Sequence, residues 1–133
     1  MKKHGILHAQ LNRIIAAMGH GDMLVIGDSG LPIPHGKEVV DLALAGGILS
    51  FGQVLTQILR ELCVEKVYVA RETREYSPQI QSIIEGSIAG IQMQTVNHEQ
   101  FKEITRETTN ITFVRTGEQT PFSNIILVSG VTF

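Results

Sequence analysis

Short apolar runs alternate along this chain with stretches of helical period, and that alternation constrains the fold more than any other feature. Leu11, Ile14, Ile15 and Met18 fall on one face of a helix, and Val54, Leu55, Ile58, Leu59 and Leu62 mark another. Ser77-Pro78 reads as a helix start, an N-cap followed by proline at the first helical position, and His98 to Thr105 as a short helix. Between them lie Met23-Leu24-Val25-Ile26, Lys66 to Ala70, Ile91 to Val96, Ile111 to Val114 and Asn124 to Val128. The first is continuously apolar, as in a strand buried on both faces. Ile91 to Val96 alternates apolar and polar, which is also strand-like. Gly19 is placed to end the first helix as a left-handed cap. The pattern predicts an α/β fold: a three-layer α/β/α sandwich around a mostly parallel sheet, with residues 1–133 as one domain.

Composition narrows the function. Charged residues make up 18% of the 133, below the roughly 25% of an average soluble domain. A chain so sparing of charge is expected to hide part of its surface in a homo-oligomer. The terminal Phe133, with no polar tail, is expected to pack on the core or on a neighbouring subunit. A net charge of −2 argues against nucleic acid as a partner. The mean hydropathy of +0.12 excludes disorder. Cys63 is the one cysteine, so no internal disulfide forms and a reducing, cytoplasmic setting is expected. The polar start after Lys3 does not read as a signal peptide. Leu42 to Leu59 is interrupted by Gly46, Gly47, Ser50, Gly52, Gln53 and Gln57, too polar for a membrane span.

Polar residues gather beside predicted strand and helix ends in three places: His20 to Pro34, Asn97-His98-Glu99, and Arg115 to Asn124. In α/β sheets, ligands sit beyond strand ends. Asp28 follows a buried strand, where it either caps its own turn or presents a carboxylate to a ligand. His20 follows a helix end, where the helix dipole alone is a structural reason for it. His98 has an ordinary reading as a first-turn residue. Arg115 to Asn124 offers an arginine, an acid, three hydroxyls and two amides around Phe122. That set suits a polyol, with hydrogen bonds for hydroxyls and a ring face for carbon. Gly27-Asp28-Ser29-Gly30 is not a protease nucleophile loop, because the α/β context is wrong for one. Asn110-Ile111-Thr112 matches a glycosylation sequon by chance. The histidines at 4, 8, 20, 35 and 98 lack metal-ligand spacing. No phosphate loop or dinucleotide fingerprint is present. Cofactor-free chemistry or plain ligand binding remains.

Taken in order, several segments resemble one family. They are Gly19-His20, Asp28-Ser29-Gly30-Leu31-Pro32-Ile33-Pro34, Asp41-Leu42-Ala43, His98-Glu99-Gln100-Phe101-Lys102, Arg115-Thr116-Gly117-Glu118, Thr120-Pro121, Ser123-Asn124 and Gly130-Val131-Thr132-Phe133. With Met1-Lys2-Lys3, they resemble the bacterial D-ribose pyranase and fucose mutarotase family from the first residue to the last. The resemblance implies a cytoplasmic, cofactor-free sugar mutarotase that interconverts the β-pyranose and β-furanose forms of D-ribose. It also implies a homo-oligomer, typically a decamer of two stacked pentameric rings, with sites between subunits. By resemblance His20 is the proton donor, and Asp28, His98, Phe122, Ser123 and Asn124 contact the monosaccharide. The last loop departs from the family's Pro-Tyr-Ala/Ser-Asn, because Phe122 replaces the tyrosine. Ser29 stands where alanine is usual. Two other readings stay open at this point: a mutarotase for another sugar such as fucose, and a non-catalytic sugar-binding accessory of an uptake system. Lys102 and Glu118 lie outside the predicted site.

Overall fold

The computed structural model describes residues 1–133. Its elements run α1 (Ala9–Ala17), β1 (Met23–Gly27), β2 (Glu38–Asp41), α2 (Phe51–Leu59), β3 (Val64–Ala70), α3 (Arg71–Tyr76), α4 (Pro78–Ser87), β4 (Gln92–Val96), α5 (His98–Glu107), β5 (Ile111–Arg115) and β6 (Ile125–Ser129). The strands form one six-stranded sheet in the order β2-β5-β1-β6-β3-β4. Strands β2, β5 and β1 pair in parallel, as do β3 and β4. Only β6 runs the other way, between β1 and β3. The expected α/β class and mostly parallel sheet are therefore present, with one antiparallel strand.

Alternation along the strands sorts their side chains onto two faces. Leu24 and Ile26 of β1, Val67 and Val69 of β3, and Ile125 and Leu127 of β6 face α1, α2 and α4. There they meet Leu11 and Ile14, then Phe51, Val54, Leu55 and Ile58, then Ile80 and Ile84. On the opposite face Val25, Ile111, Phe113 and Ile126 pack under Phe101 of α5. Leu31 and Ile33, from the loop after β1, complete that layer. Each such side chain contributes about 1.5–3 kcal/mol by leaving water.

Several local expectations are corrected. Gly19 does not adopt the left-handed conformation. Met18 ends α1 in an extended conformation, and the Gly19 N–H donates to the Asp22 carboxylate at 2.8 Å. The left-handed glycine is Gly21, at φ +85°. Ser77 precedes α4 with Pro78 in its first turn, yet its hydroxyl does not cap the helix. It donates instead to the Pro121 carbonyl at 2.6 Å. Two elements lack a readable period. Strand β2 is four residues at a sheet edge, and in α3, Arg-Glu-Thr-Arg-Glu-Tyr, only Thr73 is buried. Phe133 is fully exposed and does not pack on the core of its own chain. No helix is long and apolar enough to cross a membrane.

Candidate active site

The reversed direction of β6 builds the site. The loop from Thr116 to Asn124 leaves β5, arches over the end of β1, and enters β6. In the β1–β6 register Ile26 faces Ile125, so the next pair outward is Gly27 and Asn124. Asn124 therefore stands beside Asp28. The β3–β4 register pairs Ala70 with Val96, which brings α3 and the start of α5 to the same edge. The C-terminal ends of all the parallel strands converge there, as expected for a ligand site on such a sheet.

Asn124 is almost completely buried and grips Asp28 twice. Its Oδ1 accepts the Asp28 backbone N–H at 2.9 Å, and its Nδ2 donates to Asp28 Oδ2 at 3.1 Å. The other carboxylate oxygen accepts the Gly30 N–H at 2.9 Å. Burial lifts the Asp28 carboxyl above its ordinary value. The Gly30 N–H, the Asn124 amide, nearby His98 and the Leu31 N–H oppose that rise without reversing it.

His98 is the first residue of α5, whose N-terminus is closed by a reciprocal pair of bonds between Asn97 and Gln100. The His98 backbone N–H donates to Glu72 Oε2 at 2.9 Å. Its ring stacks on Phe101 and meets the Phe122 ring edge-on, with centroids 5.0 Å apart. Its Nδ1 is buried with no hydrogen-bond partner. Phe122 is the one non-glycine residue at positive φ, 59°. Such a conformation is uncommon in a bulky residue and persists only where the surroundings hold it.

Asp28, His98, Phe122 and Asn124 line an open cleft of about 210 Å³, together with Leu31 and Pro32. That is smaller than the roughly 300–1,000 Å³ of pockets for drug-sized ligands, and suits a small solute. Ser123 lies beneath, fully buried, with its hydroxyl donated to the Thr120 carbonyl at 2.8 Å. A larger groove of about 720 Å³ runs between α2 and the segment before α1. Its walls include Ile6, Leu11, Leu42, Leu49 and Val54, and its imidazole, His8, caps α1. It has no converging carboxylate.

His20 does not join this cluster. It precedes β1, whereas Asp28 follows it. Five strand residues at about 3.3 Å each put roughly 16 Å between the two edges. At its own edge His20 Nε2 pairs with Glu65 Oε2 at 2.9 Å, and both side chains are about half exposed.

The structure adds residues that the sequence reading left out. Arg115 Nε donates to the Ser29 carbonyl at 3.1 Å, and its Nη1 pairs with Asp41. Glu118 Oε2 accepts the Phe51 N–H at the start of α2, and Oε1 accepts from Gln119 N–H, Thr120 N–H and the Thr120 hydroxyl. Partial burial pushes the Glu118 carboxyl up, but these hydrogen bonds outweigh it and hold the group below its ordinary value. Glu118 thus anchors the polar loop to α2. Thr73 and Ser77 anchor it to α3 and α4, donating to the Phe122 and Pro121 carbonyls. Glu118 lay in a visibly dense polar loop. Nothing in the local sequence around Thr73 marks it.

Fold and cleft define a small-ligand protein of acid–base type: a carboxyl, an amide and an imidazole share one strand edge under an aromatic ring. The chain belongs to the RbsD / FucU transport protein family, whose model matches residues 1–132. A D-ribose pyranase of Symbiobacterium thermophilum is 49% identical over 133 residues, the whole of both chains. Another, of Variovorax paradoxus, is 47% identical, again over the whole of both. Among solved structures, Bacillus subtilis RbsD complexed with D-ribose superposes with a TM-score of 0.94 at 38% identity, covering all of each chain. The fucose mutarotase of Streptococcus pneumoniae, in complex with L-fucose, shares the fold with a TM-score of 0.83 at 22% identity, over 99% of this chain and all of that one.

Proposed function

We propose that this chain is a D-ribose pyranase, an isomerase that exchanges the β-pyranose and β-furanose forms of D-ribose by opening and reclosing the hemiacetal. The observation that carries this reading is the Asp28–Asn124–His98 cluster beneath Phe122, found in a chain whose full-length relatives carry that name. Ring opening moves two protons. One leaves the anomeric hydroxyl and one reaches the departing ring oxygen, giving the open-chain aldehyde. Reclosure through the C4 hydroxyl instead of the C5 hydroxyl gives the furanose, with the protons returned. Groups that exchange protons near neutrality suffice for this, with no covalent intermediate and no cofactor.

Asp28, fixed by Asn124 and lifted by burial, holds a sugar hydroxyl and exchanges its proton. His98, whose ring lines the same cleft, takes a second hydroxyl. Phe122 presents its ring to the sugar's carbon face, Asn124 fixes orientation, and Ser123 shapes the backbone between them. His20 is the acid for the ring oxygen. Within one chain it stands at the opposite strand edge, so this role requires a second copy to bring its imidazole to the cleft. Exposed Leu7, Leu44, Ile48 and Leu49 support such an assembly, as does the fully exposed Phe133. We read it as a decamer of two pentameric rings, working in the cytoplasm on ribose.

The test is proton NMR exchange on D-ribose. Saturating the β-pyranose anomeric signal is expected to deplete the β-furanose signal faster with protein present, and His20→Ala is expected to abolish the gain. Ribose binding without acceleration would replace this reading with a binding accessory. Acceleration on L-fucose alone would replace the substrate.

A further inference from the structure

We propose that Thr73, assisted by Ser77, is a positioning residue that sets how tightly the sugar is held, by locking Phe122 in the conformation that turns its ring into the cleft. The proposal rests on the pyranase reading for its kinetic test, though not for its geometry.

Helix α3 is short and polar, and Thr73 is the one residue it buries, with no exposed surface at all. A threonine inside a helix usually returns its hydroxyl to a carbonyl of its own preceding turn. Thr73 does not. Its Oγ1 crosses to the Phe122 carbonyl at 2.8 Å, a separation of 49 residues in sequence. Ser77 does the same one residue earlier in the loop, donating to the Pro121 carbonyl at 2.6 Å. These two bonds fall on the peptides that flank a phenylalanine in the left-handed region, a conformation its side chain disfavours. They are the side-chain hydrogen bonds that hold the two peptides of Phe122, whose ring also packs against Tyr76 and His98.

The same helix holds the facing wall. Glu72 Oε2 accepts the His98 backbone N–H at 2.9 Å. Tyr76 lays its ring against Phe122, with centroids 5.5 Å apart. Residues 72, 73, 76 and 77 therefore span both sides of the cleft and fix the distance between the His98 and Phe122 rings. None of them needs to touch the sugar. Their effect passes through Phe122, which lines the cleft, and His98, which Phe122 meets edge-on.

The discriminating experiment compares Thr73→Val, which keeps the shape and removes the hydroxyl, with Thr73→Ser, which keeps the hydroxyl. KM and kcat for D-ribose exchange are measured for each. Loss of the bond frees the ring and weakens sugar binding while the proton-transferring groups stay intact. Thr73→Val is thus expected to raise KM about tenfold with kcat within about twofold. Thr73→Ser is expected to match the parent in both. A purely structural role would lower the active fraction, reducing kcat and leaving KM alone. That outcome, or an equal KM rise in both variants, overturns the proposal. Should Thr73→Val not fold, Ser77→Ala carries the same split of KM from kcat, with the same reading. A second readout does not depend on activity. The His98 ring-proton shifts, set in part by the Phe122 ring, are expected to move in Thr73→Val and not in Thr73→Ser. If the parent protein does not accelerate ribose exchange, the pyranase reading fails, and the His98 shifts alone decide the positioning role. Unmoved shifts overturn it.

Discussion

Replacing Asn124 by alanine removes both of the bonds by which it holds Asp28 and leaves only the Gly30 N–H on the carboxylate, and the consequences follow from the geometry. The Asp28 backbone N–H loses its acceptor at 2.9 Å, in a position shielded by the loop above it. A buried donor left unpaired costs about 1–3 kcal/mol. The carboxylate loses its one side-chain donor, at 3.1 Å, a bond to a charged group worth about 1.5–3 kcal/mol. Partial access of water to Asp28 recovers some of this, so the expected loss is about 2–5 kcal/mol. Domains of this size have about 5–15 kcal/mol of stability, so a loss of this size lowers the unfolding midpoint by a readily measured amount. Urea unfolding followed by circular dichroism, at one fixed protomer concentration because assembly adds to stability, measures the loss. The catalytic consequence has a sign. The Asn124 amide is among the groups that lower the Asp28 carboxyl, against the burial that raises it. Without the amide the carboxyl rises further, and the acid limb of the ribose-exchange pH profile moves to higher pH. Asn124→Asp separates the two effects, because it keeps an acceptor for the N–H but adds a second carboxylate that drives the shift further. A stability loss below about 1 kcal/mol together with an unmoved acid limb would refute the account of Asn124 as the clamp on Asp28.

Three further outcomes are expected. His20→Ala and Asp28→Asn oligomers, each inactive alone, are expected to regain part of their ribose exchange when dissociated and reassembled together, since a mixed assembly pairs an intact His20 edge with an intact Asp28 edge; no recovery in verified mixed oligomers counts against a shared site. Gly117→Ala is expected to destabilise by about 3 kcal/mol or more, because its Cβ would lie 2.3 Å from the Ile48 carbonyl oxygen and 2.5 Å from that of Ala45, both backbone atoms that cannot swing away; an unchanged thermal midpoint removes that claim. Glu118→Gln is expected to lose stability at neutral pH and to converge with the parent in acid. The Glu118 carboxyl sits below its ordinary value of 4.5 when folded, so its contribution is present above the unfolded value and fades as pH falls through the folded one; parallel stability curves for the two proteins across that range contradict it.

The strands β1, β3, β5 and β6 and the helices α1, α2 and α5 were legible because each carries a run or period of apolar residues that one local conformation buries. Strand β2 and helix α3 were not, since a four-residue edge strand and a polar six-residue helix take their form from neighbours. Ser77 shows the limit within one residue. Its position before Pro78 announces a helix start, but whether its hydroxyl caps that helix or crosses to Pro121 depends on a loop 44 residues away. The site divides in the same manner. Asp28, His98 and the Phe122-Ser123-Asn124 segment lie at strand and helix ends, where residue type alone left a structural and a ligand reading open and the family resemblance chose the ligand.

Local sequence, then, determined which segments are helix or strand, that they form an α/β sheet, and which polar residues sit beyond its strands, because burial of apolar side chains acts over a few neighbouring residues. Only the tertiary structure decided which of those residues meet. The antiparallel insertion of β6 carries Asn124 onto Asp28, parallel β3 and β4 bring Thr73 and His98 to one edge, and the length of β1 holds His20 away at the other. Those pairings depend on strand order and direction, which are set by how the whole core packs and are written in no single stretch of the chain.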